Sequence, residues 1–430
     1  MPSIFVNVEP VVIDWALRYV SGVKNSDIIE NMIKWKNGEK QPAFSQIELA
    51  SKAAHIPLGN DVVLDPFCGT GTTNVECKKN GIVSIGLEAS PITHFASETK
   101  CNWLIDTRQM IRDAQYIAKK ASLIITNGTP RTLPDEQDKL LLTNSICKKP
   151  LSQVLELRDV IYSANSEFEN YYLLALAKHL VCSYSNLKFG PEIGISRKKI
   201  YDTDVVGIWM SQIKKMKEDI DTCRNTIDVP TQILYGDARY ISTVNFEYKA
   251  NYVITSPPYP NEKDYSRTTR LESVILRFMN SKDELRTIKK NFIRSNTKNV
   301  YKDDNDCRYV ENIPSISILS NTIEEKRLEL NKTSGFEKLY SKVVKLYFGG
   351  MAKHLLDLKH HLADNAKLAY VVGDQASYFQ IPIRTAELLA EIAENVGYEV
   401  EGIETFRKRY ATATGNWLNE NVLILKYKGE

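Results

Sequence analysis

The apolar run Val62-Val63-Leu64 ends in Asp65 and passes at once into Pro66-Phe67-Cys68-Gly69-Thr70-Gly71-Thr72-Thr73, after which the pattern turns helical. Strand, glycine-rich turn and helix in that order point to a parallel sheet, in which each strand returns through a crossover helix. A second apolar run, Tyr252-Val253-Ile254, ends in Thr255-Ser256-Pro257-Pro258-Tyr259. Open α/β sheets bind their ligands beyond the carboxyl ends of the strands. Both motifs are therefore expected on that edge.

Further strand-like runs occur at Val83–Leu87, Gln232–Tyr235, Lys367–Val372, Glu399–Thr405 and Asn421–Tyr427, which makes seven in all. The last two can pair antiparallel as a closing hairpin. Two gaps are too long for simple crossovers. Residues 103–230 read as helical, over Gln109–Ala121, Leu151–Ser163, Phe168–Ser183 and Asp204–Asn225. Residues 260–365 hold a basic cluster and a polar stretch, Lys302–Lys332. The expected division is an N-terminal helical segment 1–60, a core of 61–102 and 231–430, and insertions at 103–230 and 260–365. A chain of 430 residues is long for one domain and fits such a layout.

Composition excludes more than it identifies. With 43% hydrophobic and 25% charged residues the chain is an ordinary globular protein. No stretch approaches the roughly 18 apolar residues of a membrane span. The N-terminus lacks the features of a secretory signal, so a cytoplasmic enzyme with no membrane partner is expected. Seven scattered cysteines without CxxC pairs argue for reduced thiols and no metal centre. The net charge of +3 says little, since binding to nucleic acid depends on local basic density. The densest cluster is Ser281–Lys302; others are Arg197-Lys198-Lys199 and Arg407-Lys408-Arg409.

Glycines in the first motif let backbone approach a ligand and turn into a helix whose free N–H groups favour electron-rich atoms. No Gly-Lys-Ser/Thr follows, which excludes a P-loop. Asn74 stands where a dinucleotide GxGxxG needs its third glycine. Glu88 ends the second run, at the place where an acidic group accepts ribose hydroxyls.

Together, Asp65–Thr73 and Thr255–Tyr259 resemble the amino-methyltransferases of DNA, which methylate an exocyclic base nitrogen. The resemblance implies the doubly wound seven-stranded S-adenosylmethionine-dependent fold with helical insertions, S-adenosylmethionine as cofactor and double-stranded DNA as substrate. It assigns Asp65, Phe67, Gly69, Thr70, Gly71, Thr72 and Glu88 to the cofactor, with Asp65 facing its ammonium. Gly236-Asp237-Ala238 resembles the family's adenine-contacting motif, which adds Asp237 and Ala238. Cys68 lies inside the turn, but the chemistry implied needs no covalent nucleophile.

The catalytic expectation falls on Ser256, Pro257, Pro258 and Tyr259. An exocyclic amine is a poor nucleophile because its lone pair is delocalised into the ring. The Ser256 hydroxyl and the Pro257 carbonyl can accept from its N–H groups, held by prolines that fix φ. Tyr259 offers a ring to stack on a base swung out of the duplex. Asn261, Asp264-Tyr265, Arg267, Arg270 and Leu271-Glu272 resemble the continuation seen in bacterial enzymes of the Ser-Pro-Pro-Tyr type. Arg267, Arg270, Lys289, Lys290 and Arg294 are the candidate phosphate contacts; the first two have Glu262 and Glu272 as alternative partners.

The serine form favours N4 of cytosine, with N6 of adenine as the alternative. A restriction-modification or related defence role is expected, with a cognate restriction endonuclease as candidate partner. An RNA base methyltransferase fits less well because its relatives usually carry Asp-Pro-Pro-Tyr. A non-catalytic DNA-binding regulator is opposed by intact Asp65, Glu88, Ser256 and Tyr259. In the first sixty residues, Trp15-Ala16, Trp35, Asn37-Gly38, Pro42, Leu49-Ala50 and His55–Gly59 resemble a small helix-turn-helix-like module preceding some bacterial metallopeptidase-type regulators. An N-terminal helical cap on the core is the alternative reading.

Overall fold

A computed structural model describes residues 61–188, 193–224, 228–261, 263–411 and 415–429. The expected N-terminal module lies outside the described residues. Seven strands form one sheet: β1 (Val62–Asp65), β2 (Val83–Glu88), β5 (Thr231–Tyr235), β6 (Ala250–Thr255), β7 (Leu362–Gly373), β8 (Glu399–Ala411) and β9 (Asn416–Lys426). Two short strands, β3 (Leu187–Lys188) and β4 (Gly194–Ile195), pair apart from it.

The sheet order is β5-β2-β1-β6-β7-β9-β8. Pairing is parallel from β5 to β7 and antiparallel for β7/β9 and β8/β9. All seven strands read from sequence are present, and the closing hairpin inserts β9 between β7 and β8. β1 sits at the centre, fully buried along Val62–Asp65. A strand covered on both faces reads as a continuous apolar run. The chain leaves β1 toward β2 on one side and later returns to β6 on the other. That is the topological switch point at which doubly wound sheets bind ligands. Leu64 pairs with Val253 there, so Asp65 and Thr255 end adjacent strands.

The longer helices are α1 (Thr72–Lys79), α2 (Pro91–Cys101), α3 (Thr107–Asn127), α4 (Lys148–Ala164), α5 (Glu169–His179), α6 (Val205–Cys223), α7 (Lys282–Lys290), α8 (Pro314–Glu329), α9 (Tyr340–Leu358) and α10 (Thr385–Asn395). Their apolar faces build two cores. One joins the sheet to α8, α9 and α10 through residues such as Leu64, Val253, Tyr347, Met351 and Leu389. The other joins α2 to α3, α4, α5 and α6. In its centre the Trp209 indole donates to the Tyr172 carbonyl at 2.9 Å and the Tyr172 hydroxyl to the Met110 carbonyl at 2.8 Å. Buried aromatic polar groups need such partners.

The helix expected at Phe168–Ser183 ends at His179 and continues as a π turn, Leu180–Tyr184. Residues 260–365 contribute to both cores. Leu271, Val274, Ile275, Met279 and Ile288 pack with the helical insertion, whereas Ile293, Val310 and Ile316 pack under the sheet. Helix α9 is itself the crossover helix that returns the chain to β7. No described helix is long and apolar enough to cross a membrane.

Candidate active site

A cavity of about 310 Å³ opens at the carboxyl ends of β1, β2 and β6, and both motifs line it. Its first half is built around Asp65, 4% exposed. The Thr73 and Thr255 hydroxyls each donate to its carboxylate at 2.6 Å, and the Phe67 N–H donates at 3.1 Å. These bonds tie the turn, the first turn of α1 and the end of β6 to one carboxylate. Burial pushes its pKa up to about 6, against the opposing pull of those hydrogen bonds. A carboxylate has about four acceptor positions, so a place remains for one further donor.

The turn closes through the Gly71 N–H on the Cys68 carbonyl at 2.8 Å. Gly69 and Gly71 have φ of 54° and 75°, a region that a side chain disfavours. A Cβ on Gly71 would also stand 2.7 Å from Ser97 Cβ. Glu88 accepts from the Gly69 N–H and the Ser90 N–H, each at 2.8 Å. Burial raises it to about 7. Burial, with Glu88 and Asp65 nearby, also holds the Cys68 thiol protonated.

Behind this half stands His354, fully buried. Its Nδ1–H donates to the Ala238 carbonyl at 2.9 Å and its Nε2 accepts from the Tyr370 hydroxyl at 2.7 Å. A carbonyl can only accept, which sets the tautomer. Burial lowers its pKa to about 4, so it is neutral. The Phe67 ring packs edge-on against it at 4.9 Å. Asp237 and Ala238 line the cavity, yet the Asp237 carboxylate is already paired with the Arg239 guanidinium at 2.6 Å. Arg239 also bonds Asp306 at 2.6 Å and the Lys290 carbonyl at 2.7 Å.

Ser256, Pro257, Pro258 and Tyr259 line the second half. The Tyr259 hydroxyl donates to Glu420 Oε1 at 3.1 Å and lies 3.5 Å from Ser256 Oγ. Burial, then the neighbouring Glu420, raises the phenol well above its usual pKa.

The basic residues chosen from sequence divide sharply. Lys289 is 8% exposed and pairs with Asp264 at 3.1 Å. Arg294, 4% exposed, is held by Asp304 at 2.8 Å and by the carbonyls of Lys289 and Lys290. The expectation that these two meet phosphates is corrected: both are buried structural cations. Arg270 is half-buried. It donates to the Ser266 carbonyl and hydroxyl and to the Leu140 carbonyl, tying this segment to the helical insertion. It does not bond Glu272, and Glu262 lies outside the described residues. Glu272 is 1% exposed, raised to about 8 by burial. Arg267 is half-buried, whereas Lys290 is exposed and pairs with Asp303 at 3.4 Å. Of the other clusters, Arg197 and Lys198 are exposed, and the Arg407 and Arg409 side chains lie outside the described residues.

Several lining residues escaped the sequence reading: Lys263, Thr268, Thr269, Asn291, Phe292, Ile293 and Glu420. Glu420 had a usable signal. It begins the stretch of β9 that pairs antiparallel with β7, so it lies on the edge where the parallel strands end. Asn291–Ile293 had none, because only packing brings the end of α7 to the cavity.

A family model described as DNA methylase matches residues 45–96, which include the whole glycine-rich turn and Glu88. The chain is 26% identical to the type II methyltransferase M.BsoBI of Geobacillus stearothermophilus, covering 89% of this chain and 81% of that protein. It is 24% identical to M.AvaI of Nostoc sp., covering 79% and 74%. A 46-residue stretch is 46% identical to M.MjaII of Methanocaldococcus jannaschii, covering 11% of this chain and 8% of that protein. The chain is similar to type II methyltransferases and, over residues 45–96, to the DNA methylase family, and its sheet is the fold expected for them. Among the described residues no group of His, Cys, Asp and Glu is arranged to hold a metal ion.

Proposed function

We propose that this methyltransferase transfers a methyl group from S-adenosylmethionine to N4 of cytosine at a specific site in duplex DNA, within a restriction-modification system. One observation carries the reading: a single cavity joins the Asp65–Thr73 turn to the Ser256–Tyr259 loop. The names of the type II relatives support the restriction-modification setting, in which a cognate endonuclease is the natural companion.

The residues of the first half suit the cofactor. Asp65 has an acceptor position for an ammonium, Glu88 faces the cavity for ribose hydroxyls, and Gly69 and Gly71 keep the turn free of side chains. Asp237 is occupied by Arg239, so the adenine side is better served by backbone at Ala238 and by Asn291 and Phe292. The cofactor supplies an electrophilic methyl group. The chain supplies position, which for an in-line transfer is the larger part of the rate enhancement.

In the second half, Ser256 Oγ and the Pro257 carbonyl accept from the two amine hydrogens and draw the nitrogen toward tetrahedral geometry. Tyr259 stacks on the flipped base. Serine at 256, rather than aspartate, favours cytosine over the N6-adenine alternative. For the phosphates we substitute the exposed cations Lys282, Arg286, Lys290, Lys298 and Lys302. They lie on α7 and the loop after it, next to Asn291–Ile293 on the cavity wall. Modification-sensitive sequencing of DNA from a host expressing the chain tests the reading. N4-methylcytosine in one short motif is expected, and unmodified DNA would refute it.

A further inference from the structure

An amine that has attacked a methyl group carries one proton too many. A serine hydroxyl accepts a hydrogen bond well, but a protonated alcohol is a strong acid and passes the proton on at once. A serine site therefore needs a second acceptor. The wall of the cavity provides one on a strand remote from the motif.

Glu420 lies within β9, where its pairing with β7 begins, opposite Gly373. It is 7% exposed and lines the cavity. Its carboxylate accepts from the Tyr259 hydroxyl at 3.1 Å, and that hydroxyl lies 3.5 Å from Ser256 Oγ. Catalytic hydrogen bonds often run long without substrate and tighten when it binds. Gly373 helps set the line: a Cβ there would stand 3.1 Å from Tyr259 Cε2, so the ring lies close on the strand and a side chain there would press on it.

We propose that Glu420 is the terminal acceptor of the amine proton, reached through Ser256 and Tyr259. This rests on the amino-methyltransferase reading above. The amine lone pair forms the new bond to the methyl carbon, and the electrons of the broken bond leave with the donor sulfur. The excess amine proton passes to Ser256 Oγ as the Ser256 proton moves to Tyr259 Oη and the Tyr259 proton to Glu420 Oε1. The methylated amine ends neutral and Glu420 ends protonated. It returns that proton to water after product leaves.

The test is single-turnover methyl transfer from labelled S-adenosylmethionine to duplex DNA by the full chain, in wild type, Glu420→Gln, Tyr259→Phe and the double variant. Glutamine still accepts from the tyrosine hydroxyl and holds the ring, but cannot take the proton. Phenylalanine keeps the stacking surface and breaks the line. Each single variant should lose about 10²-fold in transfer rate, the usual worth of general acid–base catalysis. Affinities for DNA and cofactor should hold, and the double variant should be no slower than either single one. Transfer at the wild-type rate by Glu420→Gln overturns the relay and leaves Glu420 only holding the ring. Should Glu420→Gln not fold, Tyr259→Phe decides, and a wild-type rate there overturns the relay equally. No transfer by wild type removes the methyltransferase reading and the relay with it; an active wild type with unaffected variants removes the relay alone.

Discussion

With Asp65 facing the cofactor's ammonium, as proposed, cofactor affinity should depend on pH in a calculable way. Its pKa is raised from 3.8 to about 6, first by burial. For a carboxyl raised on folding, the associated stability is fully present below the unfolded value and is lost as pH rises through the folded one. Holding the ionised form at pH 7 thus costs the ligand-free protein about 3 kcal/mol. An ammonium ligand offsets that cost, because it favours the ionised carboxylate. At pH 5 only about one site in ten is ionised, so S-adenosylmethionine should bind about tenfold, or ~1.4 kcal/mol, more weakly than at pH 7. An α-amino group stays protonated across this range, so the ligand adds no opposing trend. Glu88, raised to about 7, pushes the same way, since ribose hydroxyls donate better to the ionised form. Calorimetry between pH 5 and 7, in buffers of different ionisation enthalpy, measures affinity and proton release together. Asp65→Asn should bind about 1–3 kcal/mol more weakly at pH 7 and retain only the Glu88 part of the pH dependence. The same pH dependence in Asp65→Asn and wild type would refute the reasoning.

Three further outcomes follow from the placement of side chains. Lys289→Met removes the ion-pair partner of buried Asp264, which keeps only its hydrogen bonds from Ser266, and should destabilise the fold by about 3 kcal/mol in urea titration; an unchanged midpoint would return Lys289 to the surface. Gln at Arg286, Lys290 and Lys298 should instead leave stability within about 0.5 kcal/mol. It should flatten the salt dependence of DNA affinity by roughly one unit of slope per lost contact. Gly373→Ala forces a Cβ against Tyr259 at 3.1 Å and should slow methyl transfer more than it weakens cofactor binding, as separate measurements of rate and affinity will show.

The sheet was legible because its strands are the kind that announce themselves. Val62–Leu64 and Tyr252–Ile254 are short apolar runs ending in turn chemistry, and each became a strand within two residues of the expected limits. The amphipathic insertion helices were legible too, apart from the π turn after His179. Charge was the misleading signal. Lys289 and Arg294 belong to a run dense in cations, but helical spacing turns Lys289 inward beside Ile288. The chain beyond the helix then carries Arg294 onto Asp304. A linear count of lysines contains neither direction nor the distant carboxylates that select the buried cations. Glu420 and Asn291 were hidden for a related reason: the cavity wall is assembled from residues far apart in sequence, and only the β7/β9 register and the packing of α7 bring them together.

The most direct test is to incubate the purified chain with labelled S-adenosylmethionine and duplex DNA, digest the DNA and identify the labelled nucleoside. The joined turn and Ser-Pro-Pro-Tyr loop predict N4-methylcytosine. N6-methyladenine would keep the amine chemistry and move only the base. Label in 5-methylcytosine, which requires a cysteine nucleophile, or in RNA alone, would contradict the account.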